Sequence, residues 1–257
     1  EKEFKEIRPK LINKRRYYSS DQVSVIKFIK TLLKDNGMTI KGVKKILSLK
    51  DNILDIKYFT LLIILAFIFS LSVRYIWVDT FKGVENYTWN NQLMINTNDG
   101  YYFAEGARDL LSNTLKENSH SPVSSPLSKL TAFIAQVFPI SFETLILWMP
   151  GVFGSLLVIP IMLISRVIKQ DILGFCAALL GSIVWSYYNR TMLGYYDTDL
   201  LVVVLPTFVI WGVLYALEHE DSKSFLLAPI FALMAMYWHG GMIHIINGVF
   251  IMTLLYT

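Results

Sequence analysis

Residues 58–78 read YFTLLIILAFIFSLSVRYIWV and form the first long apolar run of the chain. An α-helix needs about 20 predominantly apolar residues to cross the hydrocarbon layer of a bilayer. The run therefore predicts a membrane-spanning helix. Arg74, Tyr75 and Trp77 near its far end are typical of a membrane interface, where aromatic rings lie and arginine snorkels toward water.

Further apolar runs follow the first one. Hydrophobic residues make up 54% of the 257 residues and the mean hydropathy is +0.45, which excludes a disordered chain and argues against a soluble domain. The predicted fold class is mainly α, a polytopic membrane protein. Small residues in the third span predict close helix packing: Gly174, Ala177, Ala178, Gly181 and Ser182. The spans are expected at about 58–78, 145–164, 172–188, 200–217, 225–238 and 243–257.

The first 52 residues form a separate basic segment. Residues 1–57 contain 15 Lys and Arg against 7 Asp and Glu, so the positive-inside rule predicts a cytoplasmic N-terminus. Ser20 and Asp21 are candidate caps of one short helix, and Thr39 of a second.

Two acidic loops separate the predicted spans. With a cytoplasmic start, the loops at 79–125 and 189–199 both emerge on the external face, after one and three crossings. Asp99-Gly100 predicts a turn, followed by an amphipathic helix along the membrane surface from Tyr101 to Leu115. The sequence thus predicts that Asp99 and Asp197 share one side of the membrane.

The second loop contains Asp197 and Asp199 in an Asp-x-Asp pair, preceded by Arg190. Two close carboxylates repel each other unless a cation or an arginine neutralises them. Mg²⁺ and Mn²⁺ bind such oxygens and are common partners of a diphosphate. The alternative is an Asp-x-Asp in an ordinary surface loop.

Five strings in residues 54–243 resemble the catalytic subunit of oligosaccharyltransferase, in particular its single-subunit bacterial form. They are NNQLMI at 90–95, NDGY at 98–101, FAEGARD at 103–109, SYYNRTM at 186–192 and GYYDTD at 194–199. The resemblance implies that residues 53–257 form the N-terminal, incomplete part of a membrane helix bundle of the GT-C type. The implied location is the inner membrane, with the active site on the periplasmic or external side.

The resemblance also implies a reaction. In that family an oligosaccharide is transferred, with inversion, from a lipid-linked pyrophosphate donor to the Asn of an Asn-x-Ser/Thr sequence in an acceptor polypeptide. By motif, Asp99 and Asp197 would bind Mn²⁺ or Mg²⁺. Asp199 would lie near the acceptor amide, and Arg190 would support that carboxylate.

Two family features have no counterpart in these 257 residues: the acidic Glu of a later external loop, and the WWDYG sequence that binds the acceptor Ser or Thr. We therefore expect a truncated chain that is inactive alone. Detectable glycosylation of an acceptor peptide by the purified 257-residue chain would contradict this.

Residues 1–50 resemble part of a MerR-type winged-helix regulator, through the matches at 1–4, 7–9, 15–19 and 39–47. The helix-turn-helix of that family has no counterpart here, so nucleic acid is not an expected partner. The alternative is a basic segment that meets anionic lipid headgroups of the bilayer. A membrane-anchored DNA-binding regulator and a transporter with Arg190, Asp197 and Asp199 as gating charges remain alternative functions.

Overall fold

The computed structural model describes residues 4, 7, 9–12, 15–50, 53–112, 120–219 and 224–256. The chain divides into two compact units, Glu1–Leu54 and Asp55–Thr257. The predicted mainly α class is confirmed, since β-structure in the described ranges is limited to two short hairpins.

The first unit contains one hairpin and two helices. Strands β1 (Lys10–Ile12) and β2 (Arg15–Tyr17) pair antiparallel, and helices α1 (Ser20–Lys34) and α2 (Ile40–Lys50) follow. The prediction that Ser20 or Asp21 caps α1 is wrong. The cap is Ser19, which forms a reciprocal capping box with Gln22, because glutamine at that distance can reach back to the cap backbone. Thr39 accepts from the Gly42 N–H and caps α2 as predicted.

Eleven helices and a second hairpin make up the described part of the second unit. The hairpin joins β3 (Thr88–Trp89) to β4 (Gln92–Leu93) through Asn90 and Asn91, which both have positive φ. Asparagine tolerates this conformation better than most residues. The helices are α3 (Ile56–Phe81), α4 (Asn98–Ser112), α5 (Pro126–Val137), α6 (Phe142–Ser155), α7 (Val158–Val167), α8 (Asp171–Ser182), α9 (Trp185–Asn189), α10 (Asp199–Val202), α11 (Val204–His219), α12 (Leu227–Trp238) and α13 (Met242–Tyr256).

The helix composition is that of a membrane protein. Within the described residues, three helical segments are long and apolar enough to cross a bilayer: Ile56–Phe81, Phe142–Val167 and Asp199–His219. Three shorter apolar helices accompany them, Asp171–Ser182, Ser224–Trp238 and Met242–Leu255. The structure differs from the predicted span at 172–188, because the helix ends at Ser182 and α9 begins separately at Trp185.

Helices α7 and α8 pack closely through small residues. A Cβ placed on Gly174 would lie 1.9 Å from the Ser165 Oγ, and Ala178 and Ser182 are fully buried on the same helix. The predicted packing face is therefore present, except that Ala177 is exposed.

Arg74 does not snorkel to a membrane interface as its position in the sequence indicated. Its side chain is fully buried in the second unit. The guanidinium instead binds the segment that follows α9, because hydroxyl and carbonyl oxygens are available there. A sequence pattern around residue 74 contains no information about that distant segment.

Candidate active site

The segment from the end of α9 to the first residue of α10 contains Arg190, Asp197 and Asp199, and a glycine in its middle fixes its position. Gly194 has a φ of +84°, and its N–H donates to the Leu147 carbonyl of α6 at 2.9 Å. A Cβ at this position would lie 2.8 Å from the Trp77 ring of α3. Glycine is required here both for the left-handed backbone and for the close approach.

Tyr196, the residue directly before Asp197, anchors the second acidic loop in the helix bundle. The side chain is fully buried, and its hydroxyl lies 2.5 Å from the Thr131 Oγ1 of α5. Burial raises the pKa of the Tyr196 phenol, while the hydrogen bond with Thr131 lowers it by less. The phenol therefore stays neutral. Its hydrogen bond with Thr131 fixes the loop backbone at Tyr196 against α5.

The first acidic loop docks directly on this second loop. The Asn96 N–H donates to the Gly194 carbonyl at 2.9 Å. Gly100 packs so closely that a Cβ there would lie 2.5 Å from the Tyr196 carbonyl oxygen. The structure thus brings the segment that contains Asp99 against the segment that contains Asp197.

Asp99 lies in the first turn of α4, because that helix begins at Asn98. The predicted turn at Asp99-Gly100, with a helix starting only at Tyr101, is wrong by three residues. An acidic residue in the first turn favours this earlier start, because its charge meets the positive end of the helix dipole. Residues 113–115, where the predicted helix ended, lie outside the described residues.

The carboxylate of Asp197 is partly occupied by its neighbour. Its Oδ1 accepts from the Thr198 N–H at 2.6 Å and from the Thr198 hydroxyl at 3.3 Å. Asp99 has no side-chain hydrogen bond or ion pair to any other described residue. Within the described ranges no cluster of three or more His, Cys, Asp or Glu side chains is present.

Asp199 is paired with Arg190. The Arg190 Nε lies 3.0 Å from the Asp199 Oδ2, and the guanidinium also donates to the Tyr195 hydroxyl and lies over the Tyr195 ring. The hydrogen bond to Tyr195, and next the charge of Asp199, raise the pKa of Arg190. The pair lines a small cavity of about 160 Å³ together with Ser186, Tyr187, Val202 and Val203.

Distant helices also support the two loops. The Trp238 indole at the end of α12 donates to the Thr198 carbonyl at 2.7 Å. Arg108 of α4 pairs with Glu143 of α6 at 2.9 Å, which ties the helix of Asp99 to the rest of the unit. Trp238, Thr131, Thr198 and Arg74 were not identified as site residues from the sequence. Only Arg74 had a signal, as a charged residue inside an apolar run.

The family model described as "Oligosaccharyl transferase STT3, N-terminal" matches residues 53–257. The chain belongs to this family. All four site residues predicted from the sequence lie inside the matched range 53–257. The start of this range falls within two residues of the boundary between the two compact units. Residues 1–50 match the model described as "MerR HTH family regulatory protein".

Individual relatives agree with the STT3 assignment. The chain is 44% identical over 178 residues to the undecaprenyl-diphosphooligosaccharide–protein glycotransferase of Campylobacter jejuni subsp. jejuni serotype O:2, and equally to that of Campylobacter jejuni strain RM1221. These matches cover 69% of this chain and 25% of each relative. It is 29% identical over 105 residues to the dolichyl-phosphooligosaccharide-protein glycotransferase of Methanococcus voltae, covering 38% of this chain and 12% of that protein. The chain spans about a quarter of the length of the Campylobacter relatives it matches.

Proposed function

We propose that the complete gene product is a membrane glycotransferase of protein N-glycosylation. It transfers an oligosaccharide from a lipid-linked pyrophosphate donor to the Asn of an Asn-x-Ser/Thr sequence in an acceptor polypeptide, with inversion at the anomeric carbon. Membership of the STT3 family and the names of the Campylobacter and Methanococcus relatives support this class of reaction.

The observation that carries the proposal is the contact between the two acidic loops. Asn96 and Gly100 of the first loop lie against Gly194 and Tyr196 of the second, although about 95 residues separate them in sequence. A structural loop has no need to bring two aspartate-bearing segments together, because their carboxylates repel each other. A site that binds a divalent cation does need this.

Asp99 and Asp197 would hold the Mn²⁺ or Mg²⁺ ion. Carboxylate oxygens are the hard donors that these ions prefer. The described contacts suit this role, since Thr198 orients Asp197 through Oδ1 and no described side chain engages Asp99. When bound, the ion would neutralise the charge that develops on the departing diphosphate.

The remaining groups would act on the acceptor. A carboxamide nitrogen is a poor nucleophile because its lone pair is delocalised into the carbonyl. Carboxylates that accept the N–H bonds of the acceptor amide would weaken that delocalisation, and Asp199 would lie near this amide. Burial raises the pKa of Asp199, and the charge of Arg190, whose Nε lies 3.0 Å from the Asp199 Oδ2, opposes that rise and orients the carboxylate.

The proposed topology places the acidic loops on the external face of the membrane. The chain crosses the membrane several times, the basic N-terminus stays in the cytoplasm, and the acidic loops face the outside. The excess of Lys and Arg in residues 1–57 supports this orientation.

Transfer of a glycan to an Asn-x-Thr peptide by the complete gene product, supplied with its lipid-linked donor, tests the proposal. We expect transfer that needs Mn²⁺ or Mg²⁺, disappears with chelator, and falls at least about 100-fold in the Asp99→Ala/Asp197→Ala double variant, since several kcal/mol of charge stabilisation are lost.

Asp79→Ala is the matched control. Asp79 is an exposed aspartate at the end of α3 that pairs only with Lys82 among the described side chains, and its variant should retain wild-type transfer. Undiminished transfer in the double variant would overturn the ligand assignment. No transfer by a wild-type protein that is verified as inserted and monodisperse would reject the proposed reaction.

A further inference from the structure

Arg74 is one of the largest side chains that are fully buried among the described residues. It lies in α3, seven residues before the helix ends, which is about 10 Å along the helix axis. No carboxylate forms an ion pair with it among the described residues. A charged group in such a position is costly, and arginines inside membrane helices commonly have a functional role.

The guanidinium uses all three nitrogens, and it divides them between two segments. Its Nη1 donates to the Ser70 Oγ at 2.7 Å and the Ser70 carbonyl at 3.2 Å, one turn back on α3. Its Nε donates to the Thr191 carbonyl at 3.1 Å, and its Nη2 donates to the Thr191 Oγ1 at 2.7 Å. Arg74 thus joins α3 to the residue that directly follows Arg190.

Thr191 is itself fully buried and engaged on its other side. Its hydroxyl donates to the Tyr187 carbonyl at 2.7 Å while it accepts from Arg74. The Tyr187 hydroxyl donates to the Gly154 carbonyl at 2.6 Å, and a Cβ on Gly154 would lie 2.6 Å from the Thr191 Cβ. The start of the acidic loop is therefore clamped between α3 and α6.

Ser70, the other hydrogen-bond partner of Arg74, is also held by α6. The Ser70 hydroxyl donates to the Ser155 Oγ of α6 at 3.1 Å, and both serines are fully buried. The guanidinium also lies 5.3 Å from the centre of the Tyr187 ring. Only a forked cation reaches Ser70 and Thr191 at once, because a lysine ammonium is a single point.

We propose that Arg74 is a positioning residue for the acidic loop. It fixes the position of Thr191, and through Thr191 it sets the placement of the segment from Arg190 to Asp199. A buried guanidinium without an acidic partner carries a desolvation cost that apolar residues of similar volume would avoid, so helix packing alone does not account for an arginine here. The arginine instead serves to hold the loop in a single conformation.

Hydrogen exchange of the complete protein in detergent tests this without reference to activity. In Arg74→Met and in Thr191→Val we expect amide exchange in residues 191–199 to increase at least about tenfold, because opening of the segment costs less when the clamp is gone. Residues 58–70 of α3 should keep their wild-type protection. Arg74→Lys should give an intermediate rate, since one of the two connections can be restored.

Ile76→Ala is the control on the same helix, because Ile76 is 57% exposed and takes no part in the network. Its loop exchange should equal that of the wild type. Unchanged loop exchange in both Arg74→Met and Thr191→Val would overturn the proposal. An increase spread evenly over α3 would also overturn it, since that result indicates a purely structural role. If Arg74→Met fails to accumulate, the isosteric Thr191→Val variant decides.

A kinetic measurement rests on the proposed glycan transfer. With a loop that samples other positions, kcat should fall about 100-fold while KM for the acceptor peptide changes less than about threefold. A rise in KM alone would contradict positioning of the reacting groups. An inactive wild type would reject the proposed function, whereas the exchange result would still decide the role of Arg74.

Discussion

Gly100 is the residue on which the contact between the two acidic loops most depends. Its α-carbon faces the Tyr196 carbonyl, and a Cβ would lie 2.5 Å from that oxygen and 2.8 Å from the Ile95 Cδ1. This carbonyl is the backbone of the fully buried Tyr196 itself, so it cannot easily shift. We expect Gly100→Ala to lower glycan transfer at least tenfold, because Asp99 and Asp197 are moved apart by a fraction of an ångström or more.

The measurement is the transfer rate of Gly100→Ala per amount of inserted, monodisperse protein. The amount of such protein should be near that of the wild type. Tyr102→Ala is the control on the same helix, since Tyr102 is 52% exposed. Equal transfer by Gly100→Ala and Tyr102→Ala would mean that the close contact has no role in the site.

At the scale of elements, the α7–α8 packing depends on how near two helices approach. A Cβ on Gly174 would meet the Ser165 Oγ at 1.9 Å and the Ser165 Cβ at 2.1 Å. Gly181 on the same helix is less crowded, with the nearest atom, the flexible Ile161 Cδ1, at 3.3 Å. We expect Gly174→Ala to lower the free energy of unfolding by about 1–3 kcal/mol and Gly181→Ala to lower it by less. Thermal or denaturant unfolding in detergent measures both, and equal effects would contradict the packing argument.

At the scale of the whole second unit, contacts of charged side chains connect four helices, α3, α7, α8 and α11, at one end of the bundle. Arg166 pairs with the buried Asp171 at 2.5 Å and lies over the Phe59 ring of α3, while Lys169 pairs with Glu218 of α11 at 2.6 Å. Removal of one partner of a buried pair leaves an uncompensated charge. We expect Asp171→Ala to lower the free energy of unfolding by about 3–5 kcal/mol, although the partial exposure of Arg166 favours the lower end of this range.

The exposed pair at the same end of the bundle is the comparison for Asp171→Ala. Lys169 and Glu218 are each about 40% exposed, so Glu218→Gln should change the free energy of unfolding by less than about 1 kcal/mol. Denaturant titration in one detergent compares the two variants. A loss in Glu218→Gln as large as that in Asp171→Ala would show that burial does not set the stability difference.

The sequence by itself determined the membrane class, the helix bundle and the acidic residue types, because these depend on local composition. The run at 58–78, the small-residue face of α8 and the Asp-x-Asp pair are all readable over a few helical turns. The family motifs then pointed to Asp99, Asp197, Asp199 and Arg190 as site residues, and those roles stay predictions.

Only the tertiary structure decided which residues hold that site together. Asn96 meets Gly194, Tyr196 meets Thr131, Trp238 meets Thr198 and Arg74 meets Thr191, each across at least 40 residues of sequence. Such contacts arise from helix packing and are not encoded in any periodic pattern. The sequence pattern therefore predicted Arg74 at a membrane interface. In the fold it donates instead to Ser70 on its own helix and to Thr191, which is 117 residues away and outside any local sequence pattern.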